Sequence, residues 1–231
     1  MAGATPDPAP LARPAPGPPS PWLQRWAHLV PAGSAVLDLA CGSGRHLVSG
    51  AARGWRMTGV DRDAGALAAA RSAQRSAQRS AKRSAQRSAA GLQSPGAPAE
   101  LVQADLETGP WPWPGRQFDA LLVFNYLWRP LWPQLLAALA PGGVLIYETF
   151  ACGNQTVGKP SRPDFLLQNA ELLACCAGLR VVAYEDGYLD SPPRFVQRVV
   201  AVQPARADGP PPRHALSAPG PAPDLPTTGD G

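Results

Sequence analysis

No run in this sequence comes near the roughly 20 apolar residues that a membrane-crossing helix needs, so no membrane span is expected. The first residues hold no charged segment leading into an apolar one, and no signal peptide is expected either. Cysteine is scarce. Cys41, Cys152, Cys175 and Cys176 form no CxxC pair and no framework spacing, which leaves no basis for a disulfide scaffold or a metal site. Such usage suits a reducing cytoplasm, with Cys175 and Cys176 acting as small buried hydrophobes. Residues 64–99 contain neither an acidic nor an aromatic side chain. That lack bears on the most conspicuous feature of the chain.

This feature is RSAQRSAQRSAKRSAQRSA, residues 71–89, within a basic segment placed at 71–90. Its six cations (Arg71, Arg75, Arg79, Lys82, Arg83 and Arg87), taken from the formal net charge of +4, leave −2 for everything else. The basic character therefore belongs to one segment, and the body is near neutral. Ala, Arg, Gln and Lys are good helix formers, so the run can prolong a preceding helix, Ala64–Ala70. A step of four residues advances about 40° beyond a full turn, so the cations spread into a band. With no acid to relieve them and nothing larger than Ala to pack, that extension is expected to stand in solvent and fray. A single-strand nucleic-acid surface would want stacking aromatics. The segment is read as a surface insertion.

Proline is plentiful but uneven. Residues 1–19 and 204–231 are rich in Pro, Ala and Gly and poor in large apolar side chains, so both are expected to be disordered tails. One domain, residues 20–203, lies between them. Ser20-Pro21 looks like an N-cap followed by Pro at the first helical position, with Trp22, Trp26 and Leu29 on one face. Strands are expected at 35–40, 56–60, 100–104, 118–124 and 144–147. Helices are expected from the loop at 41–44 to about Arg53, at 131–139 and at 169–177. Continuously apolar strands alternating with helices indicate a parallel sheet covered on both faces. The final strands, 179–184 and 194–202, are too close in sequence for a crossover helix and should pair antiparallel.

The loop Asp38-Leu39-Ala40-Cys41-Gly42-Ser43-Gly44 joins the first strand to a helix. Gly42 and Gly44 let backbone approach a ligand, and the helix start offers free N–H groups to an anion. A dinucleotide fingerprint would need Gly at 47, which is Leu47. Asp61 and Asp105 close the next two strands at the same sheet edge, where ligands lie in open α/β folds. One carboxylate is placed to take ribose hydroxyls and the other to reach a base amino group.

The set VLDLACGSGRH (36–46), GVDRD (59–63), ADLE (104–107), FDALLVFNYL (118–127) and LAPGGVLIYETF (139–150) resembles the class I S-adenosylmethionine-dependent methyltransferases. It also loosely resembles their small tellurite-resistance type. The resemblance implies a Rossmann-like α/β fold: a seven-stranded, mostly parallel sheet of order 3-2-1-4-5-7-6, with helices on both faces. It implies S-adenosyl-L-methionine as cofactor. Asp38, Ala40, Gly42 and Gly44 would hold the methionine part, Asp61 and Arg62 the ribose, and Asp105 and Leu106 the adenine, with Asn125 beside them. Where many members carry Gly, this chain has Ala40, whose turn is expected to use ordinary backbone angles.

Methyl transfer from a sulfonium is an in-line displacement that needs alignment more than a base. Candidates for contact with the reacting groups are Asn125 and Tyr126, with Tyr147, Glu148 and His46 nearby. Asn125-Tyr126-Leu127-Trp128 lacks the Pro-Pro of the amino-methylating signature, which disfavours exocyclic base amines. The segment from Gly153, carrying Lys159 and Arg162, is the expected acceptor lid. The expected partner is a small-molecule methyl acceptor. The alternatives are an RNA or protein substrate docked through the basic insertion, or a non-catalytic donor-binding module.

Overall fold

A computed structural model describes residues 16–87, 97–205 and 212–218. The chain order is α1 (Pro21–Trp26), β1 (Ala35–Leu39), α2 (Arg45–Ala52), β2 (Arg56–Asp61), α3 (Ala64–Arg87), β3 (Glu100–Gln103) and β4 (Phe118–Phe124). Then follow α4 (Trp132–Ala138), β5 (Leu139–Phe150), α5 (Glu171–Cys175), β6 (Arg180–Asp190) and β7 (Pro193–Val202). The seven strands form one sheet of order β3-β2-β1-β4-β5-β7-β6. The first five are parallel, and β7 runs antiparallel to both β5 and β6. This is the architecture that the strand pattern and the resemblance imply.

Alternation along each strand divides the core between the two faces. Val36, Leu122 and Ile146 pack beneath Trp22 and Trp26 of α1, Leu47 of α2 and Leu67 of α3. Leu37, Leu121, Leu145 and Tyr147 face the other way, toward Leu135 of α4 and Leu172 of α5. Helix α1 has six residues, too few to hold its shape alone. Ser20 caps it by accepting the Trp22 N–H, and burial of both indoles supplies the rest.

Several boundaries differ from the expectation. The hairpin strands run on to Asp190 and start again at Pro193, because Tyr188 and Phe195 pair across the ladder with ring centroids 5.0 Å apart. Helix α5 is shorter than 169–177. Leu167 still pairs with the end of β5 through Leu167 N–H to Phe150 O, 3.0 Å, and Ala170 takes φ +56° before the helix begins. Helix α3 does continue through the basic repeats, for 24 residues or about 36 Å. Its first repeat is not mere solvent-exposed helix, however. Gln74 is buried and its Oε1 accepts the Ala99 N–H at 2.7 Å, tying the helix to the entry of β3. Residues 88–90 of the proposed insertion lie outside the described residues, as does most of both proposed tails. Within the C-terminal one, Ala215 O lies 3.0 Å from His28 Nε2.

The segment after β5, expected as a lid, is a built wall. Arg129 donates through Nε and Nη2 to the two Glu171 oxygens (2.7 and 2.9 Å), through Nη1 to the Asp164 carbonyl (2.8 Å) and through Nη2 to that of Leu166 (2.9 Å). Buried Asn154 accepts from Phe195 N and donates to Pro160 O. Buried Gln197 accepts from Leu172 N and donates to Gln168 O. Burial raises the Glu171 carboxyl, but Arg129 and the Gln168 N–H outweigh it, so its pKa lies below the ordinary 4.5. A depressed folded pKa gives stability that is present above that ordinary value and lost as pH falls through the lowered one. Glu171→Gln is therefore expected to cost about 1–3 kcal/mol at pH 7. The gap to the parent should close as urea unfolding is repeated below pH 4.5.

Candidate functional site

The loop between β1 and α2 is bent by three residues with positive φ: Ala40 (+48°), Gly42 (+54°) and Gly44 (+84°). Ala40 thus departs from the ordinary angles expected of it. The reason is visible in what the bend achieves. Cys41 N–H reaches Val60 O at 2.9 Å, and Gly42 N–H reaches Asp61 Oδ2 at 2.8 Å, so the loop folds back onto the end of β2. The two glycines serve differently. A Cβ on Gly44 would stand 2.9 Å from the Cβ of Ala70 on α3, whereas one on Gly42 would meet nothing within 4 Å. Gly44 sets helix packing, and Gly42 faces open space.

Beside this bend lies a cavity of about 190 Å³ between the ends of β2, β3 and β4. Ala40, Asp61 and Arg62 line one side, and Asp105, Leu106 and Tyr126 the other. Asp61 holds Gly42 N–H with one oxygen and Asp63 N–H (2.9 Å) with the other. Each oxygen keeps a lone pair for a ligand hydroxyl. Asp105 Oδ1 accepts from Glu107 N–H at 2.9 Å, and this bond above all holds its carboxyl below the ordinary 3.8. The carboxylate stays ionised near neutral pH. Glu107 also lines the cavity. The motif reading passed over it, although it stands within ADLE and two residues beyond Asp105.

Asp38, on β1, is wholly buried, and neither carboxylate oxygen has a hydrogen-bond partner. A buried acceptor left unpaired is costly. Its neighbours are His46 Nδ1 at 3.7 Å and the half-buried Arg45, whose guanidinium is pushed down by burial and up by Asp38 and Glu148. An ammonium group could supply the hydrogen bonds that the two Asp38 oxygens lack. An adenosyl amino acid therefore fits what is here: a buried carboxylate without hydrogen-bond donors, an open bend, and a cavity edged by two aspartates.

The remaining candidates separate. His46 is buried against Phe124 (4.2 Å between centroids), and its Nε2 accepts the Ser20 N–H at 3.3 Å. It joins α1 to the loop. Glu148 is buried and meets Arg194, Arg198 and Ser20, which leaves it an anchor for α1 and β7 rather than a free base. Tyr147 is buried on the opposite face and donates to Tyr126 O at 2.8 Å, so it shapes the loop after β4. Asn125 is exposed with φ +56°, and its N–H reaches Glu148 O at 2.9 Å; it does not line the cavity. The Tyr126 hydroxyl is buried without a partner. Burial, together with Glu107, Asp105 and Asp61, pushes its pKa well above the ordinary 10. It can donate a proton to a hydrogen bond but is a poor base. Lys159 and Arg162 both stand exposed on the wall, and Arg162 pairs with Asp164 at 2.8 Å.

The family model described as a methyltransferase domain matches residues 36–143, from β1 into β5. This segment is similar to a methyltransferase domain, and the sheet has the Rossmann-like strand order of the class I methyltransferase fold. The trans-aconitate 2-methyltransferase of Paracidovorax citrulli is 38% identical over 125 residues. That match covers 51% of this chain and 39% of that protein, so the chain spans about two fifths of the relative's length. Among solved structures, a methyltransferase of Methanosarcina mazei superposes with a TM-score of 0.56 at 16% identity, covering 82% of this chain and all of that one. TehB of Haemophilus influenzae gives 0.55 at 16% identity, over 77% of this chain and 60% of that one. At such identity the likeness concerns the fold. It agrees with the sheet order observed here.

Ala40 is held at positive φ, a conformation costing a side chain about 1–2 kcal/mol. Ala40→Gly regains this and loses part of it to a freer unfolded chain. The net expectation is a gain of about 0–1 kcal/mol, read by thermal unfolding, with Ala40→Val clearly destabilised at the same φ.

Proposed function

We propose that the chain transfers a methyl group from S-adenosylmethionine to a small-molecule acceptor by in-line displacement. The observation that carries this reading is the cavity of Asp61 and Asp105 set beside the Gly42 bend and the unpartnered Asp38 carboxylate. Asp38 would take the ammonium of the donor's methionine part, and the backbone around Gly42 would pass beside it. Asp61, with Arg62, would hold the ribose, and Asp105 with Leu106 the adenine. When bound, the donor supplies an already activated methyl on a sulfonium, so no strong base is required of the protein.

The chain's own residues then orient and exclude water. The wall fixed by Arg129, Asn154 and Gln197 closes the side beyond β5, and α1 closes the side over His46 and Glu148. Asn125 and Tyr126, on the loop after β4, remain the candidates to meet an acceptor, Tyr126 with support from its place in the cavity lining. A small carboxylate acceptor draws support from the name of the Paracidovorax relative, a trans-aconitate 2-methyltransferase.

Asp61→Ala is expected to weaken S-adenosylmethionine binding at least tenfold in calorimetric titration, since it loses both the ribose contact and the bond that shapes the loop. Unchanged affinity would rule out the donor site described. Incubation with labelled donor and separate small-molecule, RNA and protein fractions then identifies the acceptor class.

The exposed cations of α3 favour a second reading, in which an RNA or protein substrate docks there. Removing residues 76–87, which spares Gln74, distinguishes the two. The expectation is donor affinity within about twofold of the parent and no loss of methylation in the small-molecule fraction. Nucleic-acid affinity that the deletion abolishes, and that falls steeply with salt in the parent, would support the second reading instead.

A further inference from the structure

Between the first basic repeat of α3 and the entry of β3 lies a hollow of about 240 Å³ that shares no lining residue with the donor cavity. Arg71, Gln74 and Arg75 line it from the helix, and Pro98, Ala99 and Leu101 from the strand side. Arg71 and Arg75 are one turn apart, a spacing that sets two Cβ atoms about 5–6 Å from each other on one helix face. Both side chains are exposed. Gln74 differs from them, being only 7% exposed. Its Oε1 accepts the Ala99 N–H at 2.7 Å, while its buried Nε2 has no partner. Exchanging the two amide atoms would set the nitrogen against the Ala99 N–H, so the donor stays unsatisfied, and a buried donor left so is costly. No acid offsets the two guanidinium groups from their own segment, because residues 64–99 contain none. Glu100, the next residue along β3, is engaged by Arg116 (2.8 Å) and by Thr58 Oγ1 (3.3 Å).

We propose that this hollow binds a phosphate dianion, free or as the terminal group of a monoester. The planar fork of a guanidinium matches phosphate oxygens, and such charge-assisted bonds are the strong ones. The Gln74 amide adds the donor that lacks an acceptor. Like charges at i and i+4 repel each other. A dianion cancels both, whereas a monocarboxylate or a nucleic-acid diester brings one charge. A monoester is largely dianionic near neutral pH, its second pKa being about 6. Arg79 and Lys82, further along the helix, do not line the hollow, which separates a built site from the general field of the repeats. The inference stands on the packing of α3 against β3 and does not depend on the reading of the donor site.

The test is calorimetric or phosphorus NMR titration of the full chain with inorganic phosphate, phenyl phosphate and dimethyl phosphate. Ionic strength is held constant and the pH is kept at about 7.5, above the second phosphate pKa. Saturable binding of inorganic phosphate or phenyl phosphate is expected, the tighter of the two showing whether the free ion or the ester is preferred. The diester should bind about tenfold more weakly or worse. Arg71→Gln and Arg75→Gln should each weaken binding about fivefold or more, and Arg79→Gln should stay within about twofold of the parent. Gln74→Glu keeps an oxygen for the Ala99 N–H but sets a negative charge where the amide nitrogen stood, and a loss of about tenfold or more is expected. Thermal unfolding checks that this variant folds; should it not, the two variants at exposed arginines decide. Absence of saturable binding, equal affinity for the diester, or equal losses from Arg75→Gln and Arg79→Gln would each overturn the proposal.

Discussion

The bond from Gly42 N–H to the Asp61 carboxylate, 2.8 Å long, is the contact on which the site depends. It joins a loop at the end of one strand to a side chain at the end of the next, and it does so only because the chain between Ala40 and Gly44 turns left-handed three times. Asp61 is itself fixed by the Asp63 N–H, so its position does not wait for a ligand. Preorganisation of this kind lowers the ordering cost of binding. The strain at Ala40 belongs to the same arrangement: the backbone accepts an unfavourable angle where the neighbouring bonds over-determine it.

The register of β5 explains why neighbouring residues with similar chemistry have unrelated duties. Tyr147 and Glu148 are adjacent, so they point to opposite faces. Tyr147 enters the core under α4 and props the loop carrying Asn125 and Tyr126. Glu148 faces α1, where Ser20 and two arginines of β7 converge on it. A carboxylate already shared among three donors is a joint between elements. Cutting away one partner would leave charge buried, which is why such clusters resist piecemeal change.

The strands and the carboxylates at their ends were legible because they follow from local pattern, whereas the strand order came from the resemblance alone. Apolar runs of strand length recur, the second and third stop at Asp61 and Asp105, and the last two strands lie too close for a crossover. Other features were hidden for equally physical reasons. The positive φ of Ala40 has no signature in the residue, since only the tertiary bond to Asp61 imposes it. Arg129, Asn154 and Gln197 looked like ordinary polar residues, yet each satisfies backbone groups of a segment distant in sequence. Burial of Gln74 could not be read from a repeat in which two other glutamines and a lysine occupy the equivalent place. Periodicity reports which faces repeat, not which repeat touches the sheet.

That last contrast also bears on what the basic helix is for. Its first part contacts the sheet: Leu67 and Ala70 are in the core and Gln74 bonds to Ala99, whereas Arg75, Arg79 and Lys82 are exposed. The helix continues past its last anchor because alanine-rich repeats propagate a helix already nucleated by packing, and each further residue adds a backbone bond at little entropic cost. No contact with the sheet is required for the extension to persist. A helix that persists for this reason places no demand on its side chains beyond propensity and solubility. Its charge therefore gives no account of the proposed donor site, where Asp38, Gly42, Asp61 and Asp105 lie at the other end of the connection.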